Sequence, residues 1–186
     1  MRIFLIGMPG CGKSTLGKLI AHRLGYEFVD CDVTIESSGQ RLQQIIDEKG
    51  EKEFLRIEEE ELLSLGGNRK IFSPGGSCVL SRNAMRYLRR ISYVIFIDAP
   101  LPVLEKRLAT ENMHVRGIVG LKKKTLKDLF DLRRSLYLEY AHLVVNLNER
   151  SIQESLDILM ERITAAGIVE YWHNAKLGSR ELKSLN

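Results

Sequence analysis

The chain has 186 residues, enough for one domain or one domain with a tail, and its 44% hydrophobic and 28% charged residues suit a globule with a real core. No apolar run approaches the ~18–20 residues of a membrane span, and Met1-Arg2 leads into an apolar run rather than a signal peptide, so a cytoplasmic protein without a membrane partner is expected. The net charge of +4 and the one basic run, Lys122-Lys123-Lys124, read as serving small anions and solubility, which makes a nucleic-acid partner an unsupported expectation.

Arg2 to Ile6 is apolar and β-prone and predicts a strand. Gly7-Met8-Pro9-Gly10-Cys11-Gly12-Lys13-Ser14 follows and fits the phosphate-binding pattern G-x-x-x-x-G-K-[ST]. Leu16, Leu19, Ile20 and Leu24 then recur at helical spacing up to Gly25. Strand, glycine turn and helix are the context in which backbone N–H groups converge on an anion at a helix N-terminus. Gly10, Cys11, Gly12, Lys13, Ser14 and Thr15 are therefore the candidate ATP-binding residues. Lys13, expected on the exposed lip of the loop, can reach the β- and γ-phosphates; the Ser14 hydroxyl can hold Mg²⁺, and Thr15 lies nearer the α-phosphate.

Tyr26 to Val29 predicts a second strand that delivers Asp30-Cys31-Asp32. Carboxylates two apart share a face if the strand continues. Strand ends carry the ligands in an open parallel sheet, so one carboxylate is expected on the Mg²⁺ shell and one on the hydroxyl to be phosphorylated. The alternative is that Asp32 caps the next helix. A turn at 37–40 precedes a helical pattern from Leu42 to Leu65, broken at Gly50. Lys70 to Ser73 is a short strand ending in Pro74-Gly75-Gly76-Ser77, where two glycines would let a ligand approach the backbone. Ser81 opens another helix, and Tyr93 to Ile97 reads as a strand buried on both faces.

A helix from about Val103 fades near Thr110, and 111–124 has weak periodicity and many charges, which suits a mobile lid. Thr125 can cap a helix through Ala141, Leu143 to Asn146 is the last strand, and Ser151 opens a final helix ending at Gly167. Residues 1–166 are thus expected to form one domain, and 167–186, with Trp172, a tail. Alternating strands and helices predict an α/β fold, a three-layer α/β/α architecture with a parallel central sheet and helices on both faces. Cys11, Cys31 and Cys78 lack metal-type spacing and read as small residues in tight places, with a redox role at Cys11 as the alternative.

Together these motifs resemble the shikimate kinase family over about residues 1–165. The resemblance implies the P-loop kinase version of this α/β/α fold, ATP and Mg²⁺ as cofactors, and a small hydroxylated acceptor, shikimate being the best single choice. It implies that Ser14, Asp30 and Ser73 serve the metal, that Lys13, Asp32 and Arg116 are catalytic, and that Asp32, Glu58, Gly75, Gly76 and Arg133 bind the acceptor. Arg133, followed by Ser135-Leu136-Tyr137, would take the acceptor's carboxylate, and a monomer is expected, with a dimer left open. Three positions depart from the family pattern: Leu55 stands where an arginine is usual, Ser77 where a third glycine is usual, and Gly117 where a proline follows the lid arginine. Arg56 cannot replace the missing arginine, because one residue along a helix is a rotation of about 100°. A kinase of another sugar acid or cyclitol is the rival reading. A nucleotide-binding regulatory module without transfer activity is disfavoured by the retained Lys13, Ser14, Asp30, Asp32, Arg116 and Arg133.

Overall fold

The apolar run Arg2–Ile6 forms strand β1, and β1 lies at the centre of a five-stranded sheet. The other strands are β2 (Glu27–Asp30), β3 (Lys70–Ser73), β4 (Tyr93–Asp98) and β5 (Leu143–Asn146), in the order β2-β3-β1-β4-β5. All four pairings are parallel. This computed structural model describes residues 1–36, 39–109, 118–121, 124–148 and 150–169.

Parallel neighbours need crossovers, and helices supply them. They are α1 (Lys13–Leu24), α2 (Cys31–Glu36), α3 (Leu42–Lys49), α4 (Glu51–Ser64), α5 (Arg82–Ile91), α6 (Leu101–Ala109), α7 (Leu126–Tyr140) and α8 (Ile152–Ala165). Helix α1 packs with α8, while α5 packs with α4 and α7, so the helices fall into two groups. Between them Val94 to Ile97 of β4 are wholly buried, as a strand covered on both faces must be. Phe4 and Phe72 stack across β1 and β3 with centroids 4.5 Å apart. A smaller cluster of Ile35, Leu42, Ile45, Ile46, Phe54 and Val119 ties α2, α3 and the start of α4 together.

The expected boundaries hold where local chemistry marks them. Gly25, with φ 63°, closes α1, and Thr125 and Ser151 cap α7 and α8 in capping boxes with Asp128 and Glu154. The strand does not continue past Asp30, however: the chain turns into α2 at Cys31. Asp32 therefore lies in the first turn of α2 rather than at its cap, and Asp30 takes the capping contact, its Oδ1 accepting the Asp32 amide at 3.2 Å. Ser37, Ser38, Arg116, Gly117 and most of the expected lid lie outside the described residues, as do Lys122, Lys123 and 170–186 with Trp172. Ile168 and Val169, the start of the expected tail, are buried in the main core.

Candidate active site

The loop between β1 and α1 carries positive φ at Gly7, Gly10 and Gly12, and α1 begins at Lys13. The Lys13 ammonium donates to the Gly7 carbonyl at 3.0 Å and the Met8 carbonyl at 3.2 Å. Lys13 is 8% exposed, which corrects the expectation of an exposed lip. Its four-carbon stem folds the charge back under the loop. An ammonium has three donors, and a long, weak contact to Cys11 Sγ at 4.0 Å occupies the third, so that contact is the one a phosphate oxygen would displace.

The register of β2 against β3 sets Asp30 beside Ser73. The Ser14 hydroxyl donates to Asp30 Oδ2 at 2.9 Å and lies 3.3 Å from Ser73 Oγ. Sheet register and the first turn of α1 thus gather one carboxylate and two hydroxyls at the mouth of the phosphate loop. An all-oxygen set with a single carboxylate fits Mg²⁺, which keeps several waters and takes further oxygens from phosphates. No group of three or more His, Cys, Asp or Glu side chains forms a cation cage among the described residues.

The other end of the site is built around Gly75-Gly76. A Cβ on Gly75 would lie 2.8 Å from Glu58 Oε1 and 2.9 Å from Asp32 Oδ1. A Cβ on Gly76 would lie 2.8 Å from Pro9 Cδ and 3.3 Å from an Arg133 Nη1. The room left by the two missing side chains is therefore occupied by two carboxylates, a proline and a guanidinium of the protein itself. Glu58 is buried and accepts the Ser77 hydroxyl at 3.0 Å. Burial pushes its carboxyl up to about 8, with Asp32 adding to the shift and the Ser77 hydrogen bond and Arg133 opposing it. Arg133 is 1% exposed and donates to the Val119 carbonyl at 2.7 Å. Its neighbour Arg134 instead forms a two-pronged pair with Asp98 at the end of β4, at 3.2 and 2.8 Å.

The two departures inside the described residues also have visible surroundings. Leu55 is half-buried against the smaller cluster. Arg56 lies on the exposed side of α4, paired with Glu53 and Glu60, so it does not stand in for an arginine at position 55. Cys11, Cys31 and Cys78 are buried and free, and burial pushes the Cys31 and Cys78 thiols well up, away from the reactive thiolate.

One cavity of about 600 Å³ joins the two ends, lined by the loop residues Gly10 to Thr15 on one side and by Asp32, Gly75, Gly76 and Arg133 on the other. A family model described as shikimate kinase matches residues 9–164. The shikimate kinase of Symbiobacterium thermophilum is 32% identical over 171 residues, covering 90% of this chain and 98% of that one. The chain belongs to the shikimate kinase family. Members of this family are ATP-dependent small-molecule kinases, and the chain is one of them by that membership. Among solved structures, the shikimate kinase of Aquifex aeolicus superposes with a TM-score of 0.74 at 28% identity, covering 91% of this chain and all of that one. A shikimate kinase of Acinetobacter baumannii in complex with shikimate is alike in fold, with a TM-score of 0.80 at 24% identity over 90% of this chain and 95% of that one.

Against the shikimate kinase pattern, the site residues named from sequence fall at the two ends of one cavity, except Glu58, which is buried behind Gly75 and Ser77 outside its lining, and Arg116, which lies outside the described residues. Two further residues make contacts at the site to which the sequence reading gave no role. Tyr137 is buried, donates to the Gly76 carbonyl at 2.6 Å and stacks on Phe96 at 5.0 Å between centroids. Its place one helical turn after Arg133 was the available signal. Arg107 of α6 donates to the Gly10 carbonyl at 3.1 Å, a contact between residues 97 apart that no local pattern announces.

Proposed function

We propose that this chain transfers the γ-phosphoryl group of ATP to a hydroxyl of shikimate, giving shikimate 3-phosphate and ADP. It does so in the cytoplasm, as a monomer, with a dimer left open. The observation that carries the reading is the single cavity that runs from Lys13 and the Ser14–Asp30–Ser73 oxygens to Asp32 and Arg133. Family membership supports both the reaction and the acceptor.

In this reading the phosphates lie on the amides of Gly10 to Ser14, at the positive end of α1. Mg²⁺, held by Ser14 with Asp30 and Ser73 retaining its waters, would supply positive charge to the β- and γ-phosphate oxygens. Asp32 accepts the hydrogen of the acceptor hydroxyl while its oxygen approaches the γ-phosphorus in line. The bond from phosphorus to the β–γ bridging oxygen breaks and ADP leaves. Lys13, joined by Arg116, offsets the charge on the transferring oxygens. Arg133 pairs with the acceptor carboxylate, a charge-assisted contact, and Glu58 and the Gly75-Gly76 turn shape the pocket around the ring hydroxyls.

Coupled ADP release with shikimate, other sugar acids and cyclitols tests this. Shikimate should give the highest kcat/KM, and release that is indifferent to every acceptor would refute it. Leu55 favours a second reading, in which the acceptor presents an apolar part to that position. A Leu55→Arg variant separates the two. A restored second contact should improve kcat/KM for shikimate by about ten- to a hundredfold. An acceptor that packs on Leu55 should lose activity instead, because the new guanidinium would be buried without a partner.

A further inference from the structure

The peptide unit between Val119 and Gly120 is held by charge at both ends. Its N–H donates to Glu51 Oε1 at 2.8 Å, and its carbonyl accepts from Arg133 Nη2 at 2.7 Å. Glu51 is the first residue of α4, where a carboxylate is favoured by the helix end. Arg133 comes from α7, so one peptide plane links two helices, α4 and α7, that both feed the Gly75-Gly76 end of the site. An anion on the N–H and a cation on the carbonyl polarise the peptide in the same sense, so each bond strengthens the other. The Val119 side chain is 4% exposed among Leu42, Phe54 and their neighbours, which stops the peptide from turning. The guanidinium depends on this tether: Arg133 Nε has no hydrogen-bond partner among the described residues.

We propose that Glu51 is a positioning residue that acts through the Val119–Gly120 peptide to set the direction of the Arg133 guanidinium toward the acceptor. The inference rests on the reading of Arg133 as the contact for the acceptor's carboxylate. It assigns Glu51 no contact with either substrate. Its effect is to hold the carbonyl that fixes Nη2 of Arg133, so that Nη1, beside Gly76, keeps one direction.

The test uses the full chain as wild type, Glu51→Gln, Glu51→Ala, Arg133→Lys and the Glu51→Ala/Arg133→Lys double variant. Steady-state kinetics with ATP and shikimate are combined with amide hydrogen exchange at Gly120. Glu51→Ala should raise KM for shikimate by about tenfold and leave KM for ATP within about twofold. Glu51→Gln, which keeps an acceptor oxygen without the charge, should recover most of that loss. In the Arg133→Lys background Glu51→Ala should add less than it does alone. Additive losses, or equal changes in both KM values, would overturn the proposal. Should the wild type not use shikimate, the acceptor reading fails, and the relay is judged by exchange alone. The Gly120 amide should exchange faster in Arg133→Lys although Glu51 is intact, and unchanged exchange there would overturn the relay. If Glu51→Ala does not fold, Glu51→Gln carries the kinetic comparison: a KM for shikimate raised by about two- to threefold with ATP unaffected is expected, the remainder left after most of the loss is recovered, and no change overturns the proposal.

Discussion

Lys13 shows how a residue picked out by a sequence pattern can still be placed wrongly. The pattern G-x-x-x-x-G-K-[ST] identifies it, but not that its ammonium is buried against the Gly7 and Met8 carbonyls. Lys13→Met should therefore have two effects. Turnover should fall by about 10² or more, because the charge that the lysine answers grows in the transition state. The melting temperature should fall as well, since two loop carbonyls lose a charged donor, worth roughly 1–3 kcal/mol. Kinetics well below the melting temperature, run beside thermal melts, separate the two, and near-normal turnover would remove Lys13 from the chemistry. Glu58 gives a pH dependence of known sign. Its carboxyl is raised to about 8 in the fold, against 4.5 as its ordinary value. Between these values the native state binds more protons than the unfolded chain, so stability falls as pH rises, and it levels off above about 8. Glu58→Gln removes that titration. Whatever constant offset the substitution brings, the variant's melting temperature relative to wild type should climb from pH 5 to pH 8 and then stay flat. A difference independent of pH would show that Glu58 is not buried as an acid. None of this was readable from the acidic run Glu58 to Glu61, which looks like a solvated helix face until the fold buries its first member.

Elements were readable where the signal is local and the site was not where it is tertiary. Gly25 and Gly50 end or break helices, Ser81, Thr125 and Ser151 begin them, and β4 announces itself by an unbroken apolar run. Each is a contact or a period within about four residues. The gathering of Ser14, Asp30 and Ser73 depends on sheet register and helix docking, so only a family resemblance could put them together from sequence. Helix α7 makes the same point. It sends Arg133 into the cavity and Tyr137, four residues on, under the Gly75-Gly76 turn, while Arg134 turns to Asp98. Sequence offered two adjacent arginines, and the facing of the helix separated them. Tyr137→Phe tests this docking. It removes the only side-chain donor seen on the Gly76 carbonyl among the described residues and leaves the ring stack on Phe96. An unpaired buried carbonyl costs about 1–3 kcal/mol, and each kcal/mol moves the melting temperature by about 2–4 °C in a chain of this size. The melting temperature should drop accordingly, and KM for the acceptor should rise more than KM for ATP as the turn loosens. An unchanged melting temperature would mean that the hydrogen bond adds nothing to the fold.

At the scale of the whole molecule, the parallel sheet sets the position of everything else. Its order β2-β3-β1-β4-β5 brings the ends of β1, β2 and β3 to one edge of the cavity, which places the phosphate loop, Asp30 and Ser73 side by side. The smaller cluster under α2, α3 and α4 then carries Asp32 to the opposite wall, with Glu58 buried behind Gly75. In the proposed reading these are a phosphate wall and an acceptor wall, the division an enzyme needs to bring two small molecules together and exclude water from the transfer. Such a fold predicts transfer to the acceptor rather than hydrolysis. The most direct measurement is phosphorus NMR of a reaction containing the protein, ATP, Mg²⁺ and shikimate. The account predicts a phosphomonoester of shikimate growing in step with ADP, with no comparable release of inorganic phosphate. Accumulation of inorganic phosphate with shikimate unchanged, or consumption of ATP only when a different polyol is supplied, would contradict it.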